Sequence, residues 1–126
     1  MHRDLPEVIA EVTAAFEDYE RALVANDVAA ILGFFTADAV RFGVNDRQAG
    51  IEEQARWRRA QAALPPGRHL KDTRIQGYGH STAVVTTLFG YPGSGVLGRQ
   101  SQTWVRLPEG WRIVTAHVSE PTGQPT

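Results

Sequence analysis

Gly98-Arg99-Gln100-Ser101-Gln102-Thr103-Trp104-Val105-Arg106-Leu107-Pro108-Glu109-Gly110-Trp111-Arg112-Ile113-Val114-Thr115-Ala116-His117-Val118-Ser119 is the stretch that decides the fold. Two runs rich in β-branched and aromatic residues flank Pro108-Glu109-Gly110, a strong antiparallel hairpin signal. Both runs alternate. Gln100, Gln102, Trp104 and Arg106 share one face of the first strand, and strict alternation puts Trp111, Ile113, Thr115, His117 and Ser119 on one face of the second. A sheet with one face in water reads apolar in and polar out. Here both faces carry large side chains together with hydrogen-bonding groups, as expected when one lines a polar pocket and the other meets a partner.

Working back from the hairpin, strands are expected at about 69–78, 82–91, 97–107 and 111–119, separated by Gly79-His80, Gly93-Ser94-Gly95 and Pro108-Glu109-Gly110. Upstream, Leu5-Pro6-Glu7 opens a helix, with Asp4 as its expected cap. Val8, Val12, Ala15, Phe16, Tyr19 and Leu23 form one apolar stripe that ends near Asn26-Asp27. Asp27 caps a short second helix through Phe34 or Phe35, and Asp38–Phe42 reads as a short strand before the turn Asn45-Asp46-Arg47. A third helix runs from Gly50 to about Ala63 and stops at Pro65-Pro66-Gly67. Helices gathered before a four-stranded meander imply an α+β layer, with a strongly curved sheet wrapped round the first helix. Such a cone can hold a small molecule at its mouth.

The bulk numbers narrow the function. A chain of 126 residues is read as a single domain over 1–126, with a flexible tail at about 120–126. The net charge of −1 gives no electrostatic footprint for nucleic acid or an anionic membrane surface. There are no cysteines, so disulfide frameworks and thiolate metal sites are excluded. No apolar run approaches a membrane span, and the default is a soluble, cytoplasmic protein. Charge is uneven: residues 1–38 hold eight acids against two arginines, whereas residues 39–74 hold eight Arg or Lys against four acids. Solvated helix faces are the bland explanation. The sharper one is that some middle arginines face a cavity that receives an anion.

The order of elements and several motifs resemble the AtzH/HpxZ-like proteins of the SnoaL-like and ketosteroid-isomerase-like superfamily, whose cone-shaped, cystatin-like fold is shared with nuclear transport factor 2. The resemblance is carried by Leu5 through Phe16, Tyr19-Glu20, Asn26-Asp27-Val28, Val40-Arg41-Phe42-Gly43, Gly50-Ile51, Tyr78-Gly79-His80 and the final hairpin. It implies three helices packed on a curved, mainly antiparallel sheet. It also implies ureido-acid catabolism beside amidases of cyanuric acid or oxalurate breakdown, with cofactor-free decarboxylation of 1,3-dicarboxyurea to allophanate as the activity. Tyr19 and Arg41 are the positions that the resemblance marks as the catalytic pair. The segment Ile31–Asp38 is shorter than the family pattern, which bears on the pocket wall. A non-catalytic ureido-binding or amidase-associated assembly module, and an isomerase or dehydratase of the SnoaL type, are the alternative functions.

The residues themselves can be weighed beside that resemblance. Tyr19 lies on the apolar stripe, and a buried hydroxyl there needs a partner. Arg41 opposes Val40 and Phe42 on its strand, so it faces either water or a polar cavity. Arg58, with Trp57 beside it, either reaches over the mouth to a second carboxylate or sits on a solvated helix face. Gln102 either orients a ureido group or is only a ladder neighbour. His117 is a rim candidate if its face points inward, with a backbone-bonded histidine as the alternative. His69 and His80 flank loops, and His2 is terminal. No His-x-His or Glu-x-x-His spacing occurs, so no metal site is expected. Asp38 suits a turn better than a base, and Ser94, Ser101 and Ser119 lack the setting of a nucleophile elbow. Gly93-Ser94-Gly95 lacks a strand-to-helix context and reads as a hairpin turn. A curved sheet with Trp, Val and Leu on its outer side would leave an apolar patch, which points to a homodimer through that face.

Overall fold

The computed structural model describes residues 1–121, so the expected tail falls outside the described residues from position 122 onward. Three helices, α1 (Pro6–Val24), α2 (Val28–Leu32) and α3 (Ile51–Arg59), pack on a six-stranded sheet. Its strands are β1 (Phe35–Phe42), β2 (Arg47–Ala49), β3 (His69–Tyr78), β4 (Thr82–Gly90), β5 (Gly98–Leu107) and β6 (Gly110–Ser119), in the spatial order β2-β1-β6-β5-β4-β3. All neighbours are antiparallel except β1 and β6, which run parallel because the chain crosses from the helical layer into the middle of the sheet. No helix among the described residues is long and apolar enough to cross a membrane.

Pro6 sets the first turn of α1, but Asp4 does not cap it. Asp4 instead exchanges bonds with the edge of β3: its N–H donates to the Gly77 carbonyl at 3.0 Å, and its carboxylate accepts from the Gly77 N–H at 2.8 Å. The far end of α1 closes as a Schellman turn, with Asn26 in the left-handed region at φ 54° and the Asp27 N–H bonded to the Ala22 carbonyl at 3.0 Å. Asp27 then caps α2 through the Ala30 N–H, as its position predicts. Val8, Val12, Phe16 and Tyr19 of α1 are buried with Ala83, Val85, Trp104, Trp111 and Ile113 of the sheet. That shared core holds the sheet curved around the helix.

Three boundaries differ from the sequence expectation. α2 ends at Leu32 rather than Phe34 or Phe35, β1 begins at Phe35 rather than Asp38, and α3 ends at Arg59 rather than Ala63. The segment read as a turn after Phe42 carries a short strand, β2, which is too brief to show a period of two. The most consequential difference lies in β6. Thr103 pairs with Thr115 and Trp104 with Ile113, so Val114 is an extra residue and the strand bulges there. Alternation reverses across the bulge: Trp111 and Ile113 point in, then Ala116 points in, while Thr115 and His117 are exposed on the outer face. Trp104 and Trp111 are both buried inside. The expected outer tryptophans are therefore not there, and the outer face of β4 and β5 is a half-buried mixture of Val84, Thr86, Leu88, Thr103 and Val105.

Candidate functional site

One transverse row of inward-pointing residues crosses the whole sheet: Gln48 on β2, Arg41 on β1, Ala116 on β6, Gln102 on β5, Val85 on β4 and Ile75 on β3. The bulge in β6 places Ala116, the smallest member, between Arg41 and Gln102. Room is left above it. A cavity of about 180 Å³ opens there, with Tyr19, Arg41, Trp57, Arg58, Arg68, Phe89, Gln100, Gln102 and Ala116 in its wall. A larger hollow of about 410 Å³ lies on the outer sheet face beside Arg74, Arg99 and His117. That hollow is broadly open to solvent, whereas the inner cavity is where buried polar groups converge, and the inner one has the character of a ligand site.

Five of the six candidate residues meet in the inner cavity. His117 is the exception, because the bulge turns it to the outer face, where it lies against Phe42 with ring centroids 6.0 Å apart. Its expected place at the pocket rim is thus corrected. Tyr19 is caged edge-to-face by Phe34, Phe35 and Trp104, at centroid distances of 5.8, 5.9 and 6.4 Å. Three rings fix the phenol so that its hydroxyl end meets the cavity.

Arg41 is 8% exposed and turned inward, opposite in sense to Phe42. Its Nη1 donates to Asp46 at 2.7 Å and to Gln48 at 3.0 Å, and its guanidinium lies 4.2 Å from the centroid of Trp57. Gln48 completes a triangle by donating to the same Asp46 oxygen at 2.9 Å. Asp46 can fold back this way because residue 43 is glycine: a Cβ at Gly43 would overlap the Asp46 carboxylate.

Arg58 comes from α3, where Ile51, Gln54 and Arg58 share the inner face at helical spacing. It is 7% exposed, and its Nε donates to Gln54 at 2.7 Å. No carboxylate bridges it among the described residues. Burial pushes the Arg58 guanidinium below its ordinary value, the Tyr19 phenol opposes this, and the charge of Arg41 adds to it. Trp57 is stacked near both guanidiniums, with Arg58 5.4 Å from its ring centroid.

The opposite wall was not legible as part of the site. Arg68 stacks 4.5 Å over Phe89 and donates to Glu20 at 2.9 and 3.3 Å, to Gln100 at 2.9 Å and to the Tyr91 hydroxyl at 3.3 Å. Burial works against the Arg68 charge, but the hydrogen bonds and charge of Glu20 outweigh it and hold this guanidinium above its ordinary value. Gln100 closes the network by donating to Glu20 at 3.1 Å. Phe89 lies flat over the backbone of Gly98, where any side chain would collide with its ring.

The family model described as AtzH-like matches residues 1–122. The crystal structure of a protein of unknown function from the DUF3225 family of Pectobacterium atrosepticum is similar over 95% of both chains, at 47% identity and a TM-score of 0.91. A cystatin-like fold protein from Burkholderia xenovorans is similar over 98% of this chain and 99% of its own, at 41% identity and a TM-score of 0.91. An NTF2-like protein of unknown function from Pseudomonas putida shares the fold, with 15% identity over 95% of this chain and 91% of its own and a TM-score of 0.81. No curated protein matches the sequence.

Proposed function

Since this chain belongs to the AtzH-like family, we propose that it is a cofactor-independent decarboxylase of a small N-carboxylated urea, of the 1,3-dicarboxyurea-to-allophanate type. The observation that carries this reading is the meeting of Tyr19, Arg41 and a buried Arg58 that has no carboxylate partner among the described residues, around one small cavity. A buried cation lacking a protein counter-ion is costly unless a ligand supplies the charge. Two guanidiniums stacked on one indole suit two carboxylates, since each presents a planar fork of donors.

The chemistry asks little more. In an N-carboxylated urea the bond between nitrogen and the carboxyl carbon breaks, its electron pair stays on nitrogen, carbon dioxide leaves and nitrogen gains a proton. The Tyr19 hydroxyl is the proton donor in this reading, and solvent restores its proton after release. Proton transfer by a placed side chain contributes about 10² to 10⁴ in rate. Arg41 and Arg58 hold the carboxylates, Gln102 faces the urea, and Trp57 keeps the two cations in place.

Carbon dioxide release from freshly generated 1,3-dicarboxyurea, followed against the spontaneous rate, tests the reading. The wild-type chain should accelerate it, and Tyr19→Phe should lose at least about 10² of that acceleration while keeping its fold. A fully active Phe variant removes the tyrosine from the chemistry. A wild type that binds the substrate without accelerating it makes the chain the binding or amidase-associated module instead. Arginines on two walls of the cavity disfavour an isomerase or dehydratase for an apolar ring. A homodimer through the outer sheet face belongs to the same proposal, supported by the half-buried Val84, Leu88 and Val105 there.

A further inference from the structure

Gln102 and Trp104 are two apart on β5, so both point into the cone. Trp104 is 0% exposed, and an indole N–H only donates, so it requires an acceptor inside the core. It finds one in Gln102 Oε1 at 3.0 Å. Gln102 is itself 2% exposed in the cavity wall. With its oxygen engaged, the amide turns its NH2 toward the cavity. The opposite orientation would set two donors against each other and leave a buried N–H unpaired, which is the expensive outcome.

The other acceptors of the inner wall are occupied as well. Gln100 Oε1 receives Arg68, and the Glu20 carboxylate receives both Arg68 and Gln100. The exposed Glu120 stands at the rim. What opens to the interior is a set of donors, Arg41, Arg58 and the Gln102 amide, together with the Tyr19 hydroxyl. Arg41 and Gln102 share a row two strand spacings apart, about 10 Å between backbones, with only Ala116 between them.

We propose that Trp104 is a positioning residue that locks the Gln102 amide with its NH2 toward the cavity, so that the cavity selects a ligand carrying a carbonyl oxygen between anionic ends. This rests on the reading of the cavity as an anion site. A ligand with a hydrogen-bond donor or a bare methylene at its centre gains nothing from Gln102, whereas a urea or ketone oxygen does.

3-Oxoglutarate and glutarate have the same chain length and charge and differ only in the central carbonyl, so the ratio of their affinities reads the amide directly. Titration calorimetry on the full chain should give freshly dissolved 3-oxoglutarate about a tenfold advantage, as one good hydrogen bond provides. Gln102→Leu should bring the ratio close to one. So should Gln102→Glu, which keeps an acceptor for the indole and deletes the amide N–H. Trp104→Phe should lower the ratio several-fold, with no further drop when added to Gln102→Leu. A packing role alone would weaken both ligands together and leave the ratio unmoved, which overturns the proposal. So does a wild-type ratio near one, failure of both acids to bind, or a ratio indifferent to Gln102→Leu. If Trp104→Phe does not fold, the Trp104 indole proton gives the second measurement. It should exchange slowly with solvent in the wild type and much faster in Gln102→Leu, and equal exchange overturns the lock. Loss of the carbonyl preference beside intact carbon dioxide release removes the lock and spares the decarboxylase reading; a preserved preference without carbon dioxide release does the reverse.

Discussion

Two buried arginines face each other across one cavity and are treated in opposite ways. Arg68 has a carboxylate on Nε and Nη2, an amide that shares Nη2, a phenol on Nη1 and an aromatic ring beneath it. Arg58 is comparably buried, yet no carboxylate bridges it among the described residues: it donates to the neutral amide of Gln54, with the Tyr19 phenol beside it. Even that amide is incompletely satisfied, since Gln54 Nε2 is buried without a partner among the described residues. Paired charges tie elements together, and here the pair fastens α1 to the sheet. An unpaired buried charge lowers the stability of the empty fold and is retained where something else completes it. The difference separates wall from binding site without reference to any relative.

Removing the counter-charge on the paired side gives the largest expected effect. Glu20→Gln leaves Arg68 charged and buried with no carboxylate, and the fold should lose about 3 kcal/mol, read by urea unfolding. The same variant frees a second cation in the wall, so glutarate should bind it more tightly than it binds the wild type. A stability loss with no gain in anion affinity would show that Arg68 is out of a ligand's reach.

Adding a counter-charge on the unpaired side should act in the opposite direction. Gln54→Glu turns the Arg58 corner into a copy of the Arg68 corner and deletes the orphaned NH2. Stability should rise by about 1–2 kcal/mol, since a charged hydrogen bond replaces a neutral one and an unsatisfied donor disappears. Glutarate affinity should fall by at least tenfold, because the charge meant for the ligand is spent internally. Unchanged affinity in a stabilised variant breaks the comparison.

This contrast explains how much could be read from the chain alone. The strands of the meander are legible because long alternating runs are bounded by Gly and Pro, and β3 to β6 fall within a residue or two of expectation. Tyr19 is legible as an inward residue from its 3.6-residue stripe, whereas alternation leaves Arg41 between water and a polar cavity, and only the family resemblance singles it out. His117 is misplaced because the bulge at Val114 adds one residue, and nothing in Ile113-Val114-Thr115 marks where alternation slips. Arg68 is one of eight basic residues in the middle of the chain, of which Arg47, Arg56, Arg59, Lys71 and Arg74 are exposed. That Arg68 turns inward depends on Glu20, 48 residues earlier, and no local pattern records such a pairing. Trp104 reads from sequence as an aromatic of the hairpin; its grip on Gln102 appears only when both are seen to lose solvent together.

The smallest expected effect tests the intermediate case, Arg41, which has an acid partner but leaves donors open. Gly43→Ala places a methyl group where the Asp46 carboxylate folds back, so that carboxylate must swing away while the bond from the Gly43 N–H to the Asp46 carbonyl, at 2.8 Å, can persist. The cost to the fold should be about 1 kcal/mol, typical of a displaced hydrogen-bond partner at a half-buried site. Arg41 then loses its anchor to the β1–β2 loop, keeping Gln48 and the face of Trp57. Its charge becomes more available and its position less defined, so the two should separate in kinetics. Anion affinity should be held or slightly raised, whereas carbon dioxide release at saturation should fall several-fold, because a mobile guanidinium no longer presents the carboxylate to Tyr19 in one geometry. A variant losing affinity and rate in equal proportion would mean that Asp46 shapes the binding site itself rather than aiming the arginine within it.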